Sequence, residues 1–560
     1  MKNKVLPVVM TTFLAAGLIA GCSDKDSGSG SGTSTNASTT EAGGKTDTAG
    51  GEEAALTSIP LPITTEPITI DYWRANDAKL TASLQNFGEM AAYKKKEELT
   101  GIKVNWTHPP LGQQGDQFNL LVSTNDMPDV IYYNWASAVG GPEKMLADGR
   151  IIRLNEYIDK YAPNLKKLID SDPDIKKQIS LDDGTIYMFP YIRSDARKLN
   201  GTSGLVLRKD WLDKLNLSVP KTIDDWYNVL KAFREKDPNG NGKKDELPLT
   251  GKDGAGTLNR LNDFAPAFGV LGGFQFKDGA IVYGPLQPEY KQFIETMTKW
   301  YAEELVDPEI ITNDGKAFDY KITSNLVGAY SGGVFSGMGK YYNLMKEANP
   351  SFSLAGAAWP IGPAGKSYAT FNLGGKVLTY GEAITSSADK DKIKYIVQWM
   401  DFNYSPQGHD LFNFGIEGES YTKEGDTIKF TDQIMNNPKL TYDQALAAYA
   451  LSIMDGPMDQ DSRYLDALLA YPEQKEANTI WMGADDSLTL PGLRFTEDES
   501  RLNASVMTPI STYVSEMVTK FITGKTPITE YDKFTKTIQS MGIDQITKIY
   551  EDSYKRYQSR

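Results

Sequence analysis

One stretch of the sequence carries oxygen-bearing side chains at the spacing of a calcium-binding loop. Side-chain oxygens occupy loop positions 1, 3, 5 and 9, and Gly242 at position 6 permits the tight turn that lets them converge on a hard cation. The groups that would hold the ion are the side chains of Asp237, Asn239, Asn241 and Asp245 and the main-chain carbonyl of Lys243. The spacing therefore predicts a calcium site.

This loop departs from the EF-hand pattern at its last ligand. Position 12, where an EF-hand has a bidentate glutamate, is Pro248, so Glu246 would have to complete the coordination shell. The competing interpretation is a solvated Asn-Gly turn after the helical stretch that contains Trp226. We expect calcium because oxygen donors are dense here, and we expect a structural role because the ion would tie a helix end to a loop.

Residues suited to covalent or acid–base chemistry are few. The chain has two histidines, His108 and His409, and one cysteine, Cys22. Cysteine–histidine pairs, most serine–histidine pairs and histidine metal sites are therefore not expected. Glycoside hydrolysis needs only two carboxylates, and with 73 acidic residues the sequence leaves that alternative open.

The single cysteine follows an export signal. Lysines at the N-terminus precede an apolar stretch from Val5 to Ala20, which is shorter than the about 20 residues of a membrane-spanning helix. With the small residues before Cys22, the segment resembles a bacterial lipoprotein signal, which implies a lipid on Cys22, palmitate included, and anchoring at the outer face of the cell membrane. We expect residues 1–21 to be the signal peptide and residues 22–57, rich in Ser, Gly and Thr, to be a disordered tether.

Composition narrows the class of protein further. The net charge is −14, and Lys and Arg are interspersed with Asp and Glu, so nucleic acid is not an expected partner. With a single cysteine no intramolecular disulfide can form, and stability must come mainly from buried apolar side chains. A 560-residue chain exceeds what one hydrophobic core usually covers, which predicts two or more lobes.

Alternating strand and helix patterns open the globular part. Residues 68–73, 102–106 and 130–133 have the pattern of strands, with helical patterns at 90–99 and 118–122 between them. This order predicts a largely parallel sheet covered by helices. Later amphipathic helices are predicted over residues 226–235, 290–304, 392–402 and 531–557. Tryptophans with apolar neighbours at helical spacing are predicted core residues: Trp211, Trp226, Trp300 and Trp399.

Five short stretches carry a resemblance to a known family. They are LTGIKV at 99–104, MPDV at 127–130, RKDWL at 208–212, PKTIDDW at 220–226 and GIEGESY at 415–421. In this order and spacing they resemble the extracellular solute-binding proteins of the sugar-binding group (family 1). The resemblance is to the long Gram-positive lipoproteins for oligosaccharides such as aldouronates, and it covers nearly all of residues 58–560.

The resemblance implies an α/β fold of the periplasmic-binding-protein type. Two lobes would be joined by a hinge around a central ligand cleft, and the second lobe would be rich in helices. Lobe 1 would comprise residues 58–190 and 360–430, and lobe 2 residues 191–359 and 431–560. The ligand would be enclosed when the lobes close.

Sugar binding in such a cleft needs flat aromatic faces and planar polar groups. In open α/β sheets these groups lie beyond the carboxyl ends of strands. Arg193 could pair with a carboxylate if the sugar is acidic, although a structural salt bridge is an equal alternative. The predicted ligand-binding residues are Trp73, Asn76, Tyr133, Asn134, Trp135, Tyr191, Arg193, Trp359, Glu417 and Tyr421.

The sequence thus predicts a monomeric, lipid-anchored carbohydrate receptor for an ABC importer. It would capture an oligosaccharide by lobe closure, present it to membrane permease subunits and have no catalytic residues. Two alternatives remain open at this point: an extracellular glycan hydrolase, and a surface sensor or adhesin that does not transport its ligand.

Overall fold

A computed structural model describes residues 54–124, 126–253 and 258–560. The predicted signal peptide, Cys22 and most of the predicted tether lie outside the described residues. Within the described part of the chain, every helix is too short or too polar to cross a membrane.

The strands of the described residues fall into two main sheets and two hairpins. In chain order they are β1 (Ile68–Trp73), β2 (Ile102–Thr107), β3 (Val130–Asn134), β4 (Phe189–Ile192), β5 (Ser203–Arg208), β6 (Leu247–Thr250), β7 (Phe274–Lys277), β8 (Ala280–Tyr283), β9 (Val327–Gly333), β10 (Leu354–Ala357), β11 (Val377–Ile384), β12 (Tyr421–Glu424) and β13 (Thr427–Phe430).

Helices cover the sheets and dominate the second half of the chain. In chain order they are α1 (Ala91–Thr100), α2 (Gln114–Thr124), α3 (Gly141–Ala147), α4 (Asn155–Tyr161), α5 (Pro163–Ser171), α6 (Pro173–Ile179), α7 (Ala196–Asn200), α8 (Lys209–Lys214), α9 (Ile223–Glu235), α10 (Pro288–Ala302), α11 (Gly315–Thr323), α12 (Lys340–Met345), α13 (Ile393–Asp401), α14 (Pro406–Phe414), α15 (Asp432–Met435), α16 (Tyr442–Ala447), α17 (Arg463–Leu468), α18 (Pro472–Met482), α19 (Glu497–Ile522), α20 (Tyr531–Ser540) and α21 (Ile543–Ser559). A π-helical turn spans Val334–Gly339, and short 3₁₀ segments lie at Leu80–Ala82, Phe87–Glu89, Trp135–Ser137, Asn259–Phe268, Gly284–Leu286, Ile310–Thr312, Phe402–Tyr404 and Ile528–Glu530.

The first sheet has the strand order β2-β1-β3-β11-β4. Strand β1 pairs in parallel with both β2 and β3, whereas β11 is antiparallel to β3 and β4. Alternating side chains fill the cores on its two faces: Tyr72 and Tyr132 belong to one hydrophobic cluster, and Trp73 and Ile131 to another. In the parallel register Trp73, the last residue of β1, is level with Ile131, so the residues after β1 run beside the carboxyl end of β3.

The second sheet has the order β10-β5-β9-β6. Its pairs β10–β5 and β5–β9 are antiparallel and only β9–β6 is parallel, so the prediction of a largely parallel arrangement holds for the first sheet alone. Strand β5 is buried on both faces, with Leu205 and Leu207 in one cluster and Val206 in the other.

Short sequence patterns explain where some of the helices begin and end. Helix α9 begins with a capping box, in which Thr222 and Asp225 exchange side-chain and backbone hydrogen bonds. The single helix predicted over residues 531–557 is instead two helices, α20 and α21. The break falls at Gly542, whose φ of +95° lies in the left-handed region that glycine tolerates.

Candidate functional site

A cavity of about 340 Å³ lies at the carboxyl ends of β1 and β3. It is lined by Trp73 at the end of β1 and Asn76 after it, by Tyr133 and Asn134 at the end of β3, and by Tyr380 of β11. The structure therefore brings together four of the predicted ligand-binding residues, at the edge where open α/β sheets bind ligands.

Aromatic packing fixes the ring of Tyr133, which lines this cavity. Tyr133 stacks on Phe118 with ring centroids 3.8 Å apart and ring planes inclined by only 6°. Trp135 packs edge-on against Tyr133 and donates its indole N–H to the carbonyl oxygen of Gly381, 2.9 Å away. Because Trp135 is fully buried, it supports Tyr133 from below and is not itself exposed to the cavity.

Polar atoms without partners cluster around the same cavity. The Oδ1 atoms of Asn76 and Asn134, the hydroxyl of Tyr132, and Nε and Nη1 of Arg74 are all buried and lack a hydrogen-bond partner. All four side chains line the cavity. Unpaired buried polar groups are costly in a folded protein, and a ligand with hydroxyl groups could satisfy both the donors and the acceptors.

A second cavity of about 560 Å³ continues from the first. Asp77 and Asp455 line both cavities, so the two are continuous. Strands of the first sheet and segments next to strands of the second sheet line this cavity. Tyr191 and Arg193 line it from the β4 side, and residues on the side of the second sheet include Asn200, Phe335 and Phe371.

Arg193 lines this second cavity and donates its hydrogen bonds to neutral side chains. Its Nε donates to Oε1 of Gln460 at 3.0 Å and its Nη1 donates to Oδ1 of Asn200 at 2.8 Å. Both acceptors are neutral amides, and the guanidinium also lies 5.3 Å from the ring centroid of Tyr191. The geometry thus fixes the side chain. Its positive charge also acts on the carboxyl group of Asp455, which lines the same cavity, and it could pair with an acidic ligand.

Three of the predicted ligand-binding residues lie away from both cavities. Trp359 is 1% exposed and packs edge-on against Phe371. Tyr421 is buried in the cluster beside β13, and Glu417 lies exposed in the preceding turn. Because Trp359 and Tyr421 complete hydrophobic cores, a ligand in these cavities would not contact them.

The sequence reasoning missed several residues that line the cavities. Asp77 directly follows Asn76 and could have been found from the same strand end, whereas Tyr380 comes from the antiparallel β11. Asp455 and Gln460 lie in an irregular segment between α16 and α17, without a sequence pattern that ties them to the cleft.

A buried carboxyl group lies in the sheet beneath the first cavity. Glu382 of β11 is fully buried, and Oε1 accepts a 2.6 Å hydrogen bond from the hydroxyl of Tyr72 while Oε2 has no partner. Lys96 is also fully buried, 3.2 Å from the ring centroid of Trp399, and donates to Asn403. Burial raises the pKa of Glu382 to about 7 against the opposing effect of Lys96.

The raised pKa of Glu382 should make the free energy of unfolding depend on pH. In the unfolded chain Glu382 has the ordinary pKa of about 4.3 and loses its proton above that pH. In the folded protein its pKa is about 7, so the carboxyl group stays protonated up to near neutral pH. The contribution of Glu382 to the free energy of unfolding should therefore fall by a few kcal/mol, roughly, between pH 4 and pH 7. Glu382→Gln should remove that loss in urea unfolding at pH 5 and pH 8, with Glu235→Gln on the exposed end of α9 as control. An unchanged pH difference in Glu382→Gln would contradict this assignment.

The loop predicted to bind calcium is tightly wrapped around Asp237. This residue has a φ of +46°, and its carboxylate accepts hydrogen bonds from the backbone N–H groups of Gly240, Asn241 and Gly242 at 2.9–3.1 Å. The side-chain amides of Asn239 and Asn241 both donate to Asp245, at 3.1 and 3.0 Å.

Glu246, at the end of this loop, has a buried side chain. It is 1% exposed, and neither carboxylate oxygen has a hydrogen-bond partner. Burial raises its pKa, and the nearby carboxylates of Asp237 and Asp245 raise it further. In the described residues no cluster of three or more His, Cys, Asp or Glu side chains is arranged to hold a metal ion; this loop combines its carboxylates with two amides.

Comparison with known proteins identifies the family. The sequence model of the bacterial extracellular solute-binding proteins matches residues 77–410. The chain belongs to this family. Among its relatives, the fructooligosaccharide ABC transporter substrate-binding protein FusA of Streptococcus pneumoniae is 25% identical over 92% of this chain and 95% of its own. The polygalacturonan/rhamnogalacturonan-binding protein YtcQ of Bacillus subtilis is 26% identical over 83% of this chain and 88% of its own.

The fold of this solute-binding protein matches solved structures. An EF-hand mutant of S. pneumoniae FusA, in complex with fructo-nystose, superimposes with a TM-score of 0.68 at 23% identity, covering 88% of this chain and 99% of that one. The predicted family and the predicted α/β fold of the periplasmic-binding-protein type are confirmed. As a member of a solute-binding family, the protein binds a ligand and is not an enzyme.

Proposed function

We propose that this solute-binding protein captures an oligosaccharide for an ABC importer. The proposal rests mainly on the lining of the first cavity. There the ring of Tyr133, stacked on Phe118, lies among amide, hydroxyl and guanidinium groups that lack hydrogen-bond partners. A sugar ring offers C–H surface to an aromatic face and hydroxyls that both donate and accept. The names of FusA and YtcQ, both binders of carbohydrate polymers or oligomers, support the same class of ligand.

Capture would proceed by closure of two lobes, one built on each sheet. We propose residues 58–190 with 360–430 as lobe 1, and residues 191–359 with 431–560 as lobe 2. In support, the first sheet takes strands from residues 68–192 and 377–384, and the second sheet from residues 203–357. The second cavity, lined by Tyr191 of β4 and by Thr202 and Phe335 next to β5 and β9, would be the place where closure encloses the ligand.

Calcium would stabilise the loop between Asp237 and Glu246. The two unpaired, buried oxygens of Glu246 are the observation that fits a cation, since a buried carboxylate without a partner is costly. The ion would be held by Asp237, Asn239, Asn241, the Lys243 carbonyl, Asp245 and Glu246, all oxygen donors that calcium prefers. Its role would be structural, because the loop joins α9 to β6 and lines neither cavity of the cleft. The EF-hand named for FusA supports the proposal.

The predicted signal and tether would place the protein at the outer face of the cell membrane. Cys22 would carry the lipid, and the tether up to residue 57 would let the lobes reach the permease subunits of the importer. The family is extracellular, which supports this location. Delivery would require the permease to recognise the ligand-bound form.

Incubation of the full chain with a mixed library of neutral and uronic oligosaccharides tests this function. Sugars retained by the protein would be identified by mass spectrometry, together with any fragments released into solution. The proposal expects one class of oligosaccharide to be retained with its bonds intact. Retention of no carbohydrate, or steady release of cleaved products, would contradict it.

A further inference from the structure

A third cavity, of about 490 Å³, extends the cleft beyond the proposed sugar site. Asn372, Gly375, Val377 and Leu378 line both this cavity and the second one, so the two are continuous. The three cavities therefore form one groove that starts at the Tyr133 cavity. Beyond the third cavity lies a further cavity of about 810 Å³, which shares Gly140, Glu143, Arg494 and Phe495 with it. The groove therefore has room for a longer ligand than one that fills only the first cavity.

The walls of the third cavity combine apolar surface with a few polar groups. Tyr187, which is 2% exposed, and Gln178 line it from the side of the first sheet. The segment from Leu490 to Phe495, just before α19, lines it from the other side. This is the same combination of flat apolar surface and fixed polar groups that the first cavity presents.

Arg494 supplies an unused donor to this cavity. Its Nη2 donates to the carbonyl oxygen of Gln178 at 2.9 Å, and its guanidinium lies 5.7 Å from the ring centroid of Tyr187. These contacts fix the guanidinium plane, while Nη1 is buried and has no partner. A donor left unpaired in this way is satisfied when a ligand supplies an acceptor.

Glu143, at the start of α3, lines the same cavity and balances the charge of Arg494. These are its two charged lining residues, so the cavity has no net charge to attract an anion. The fixed donor of Arg494 and the acceptor of Glu143 suit a neutral unit whose hydroxyls accept one hydrogen bond and donate another.

We propose that the third cavity is a further subsite for one neutral, hydroxyl-rich unit of a longer oligosaccharide, held between Arg494 and Glu143. The subsite would make affinity depend on ligand length, because only a chain that spans the second cavity reaches it. This inference rests on the proposed function and adds to it a preferred ligand length.

Titration of two ligand series into the full chain tests the subsite. Fructo-oligosaccharides supply a neutral series and oligogalacturonides an acidic one, each from disaccharide to hexasaccharide. In the neutral series we expect the added unit that reaches the third cavity to tighten binding on the order of tenfold. Equal affinity along the series, or a gain confined to the acidic series, would overturn the inference.

Variants separate a ligand contact from a contact that only holds the lobes together. Arg494→Gln and Glu143→Gln should abolish most of the gain from the added unit and leave the affinity of the shorter ligands unchanged. Ala136→Trp, at an exposed position lining the cavity, should block the subsite without touching Arg494. Arg501→Gln, on the exposed face of α19, serves as control.

The outcomes for short and long ligands decide between the two roles. If Arg494→Gln weakens every member of the series by the same factor, the residue acts in lobe closure and the subsite is overturned. If no carbohydrate of any length binds, the proposed function fails and this inference fails with it. Binding of short ligands without any dependence on length would overturn the subsite alone.

Discussion

Replacing Asn76 and Asn134 together by alanine should weaken oligosaccharide binding on the order of tenfold to a hundredfold. Each side chain presents a buried Oδ1 without a partner to the first cavity. A ligand hydroxyl that donates to such an oxygen forms a hydrogen bond that the free protein lacks. Removal of both acceptors should therefore destabilise the complex with the ligand more than it destabilises the free protein. Isothermal calorimetry measures the dissociation constant.

The free energy of unfolding of the unliganded double variant should stay within about 1 kcal/mol of the wild-type value, because alanine removes two unsatisfied acceptors from the folded protein. Within the described part of the chain, the side-chain hydrogen bond lost is the 3.2 Å one from Asn76 Nδ2 to the carbonyl oxygen of Gln85. Asn105→Ala, at an exposed position on the neighbouring strand β2, is the matched control and should bind normally. A double variant that binds as tightly as wild type would show that the ligand lies elsewhere.

Glu246→Gln should change the stability of the protein in opposite directions with and without calcium. In chelator the substitution removes a buried carboxylate whose two oxygens lack partners, so the variant should be more stable than wild type. In calcium it removes a ligand, so the variant should be less stable. Calcium at a hundred times its dissociation constant should stabilise the wild-type protein by about 2.7 kcal/mol, and thermal unfolding in both conditions reads out the reversal.

A pair of aspartates provides the control for this reversal. Asp237 and Asp278 both have a positive φ, +46° and +50°, and asparagine tolerates that conformation. Asp237→Asn should reduce the stabilisation by calcium, whereas Asp278→Asn, in the turn between β7 and β8, should leave it intact. Equal stability of wild type in calcium and chelator would contradict a calcium site in this loop.

The fold was most predictable where one local pattern decides the structure. Strand β1 matches the predicted residues 68–73, and β3 extends the predicted strand by one residue, because alternating burial and β-branched or aromatic side chains act over short distances. The tryptophans predicted for the core, Trp211, Trp226, Trp300 and Trp399, are all at most 1% exposed. The strand ends then placed Trp73, Asn76, Tyr133 and Asn134 at one cavity, since parallel neighbours end at the same edge.

Other features depend on packing between distant parts of the chain. Trp359 has the side chain of a sugar-binding residue, but Phe371 and the neighbouring core cover it. Arg193 is positioned by Gln460, which is 267 residues away along the sequence, and no local pattern links the two. The antiparallel entry of β11 into the first sheet, which brings Tyr380 to the cavity, likewise follows from topology and not from local periodicity.

The most direct test of the central claim is calorimetric titration of the full chain with fructo-oligosaccharides and oligogalacturonides, with the ligand recovered and checked for cleavage. The account predicts saturable binding at one site, by at least one of the two series, with the ligand returned intact and the affinity reduced in the Asn76/Asn134 double alanine variant. No saturable binding of either series, or binding that the double variant leaves unchanged, would contradict capture of an oligosaccharide in this cleft.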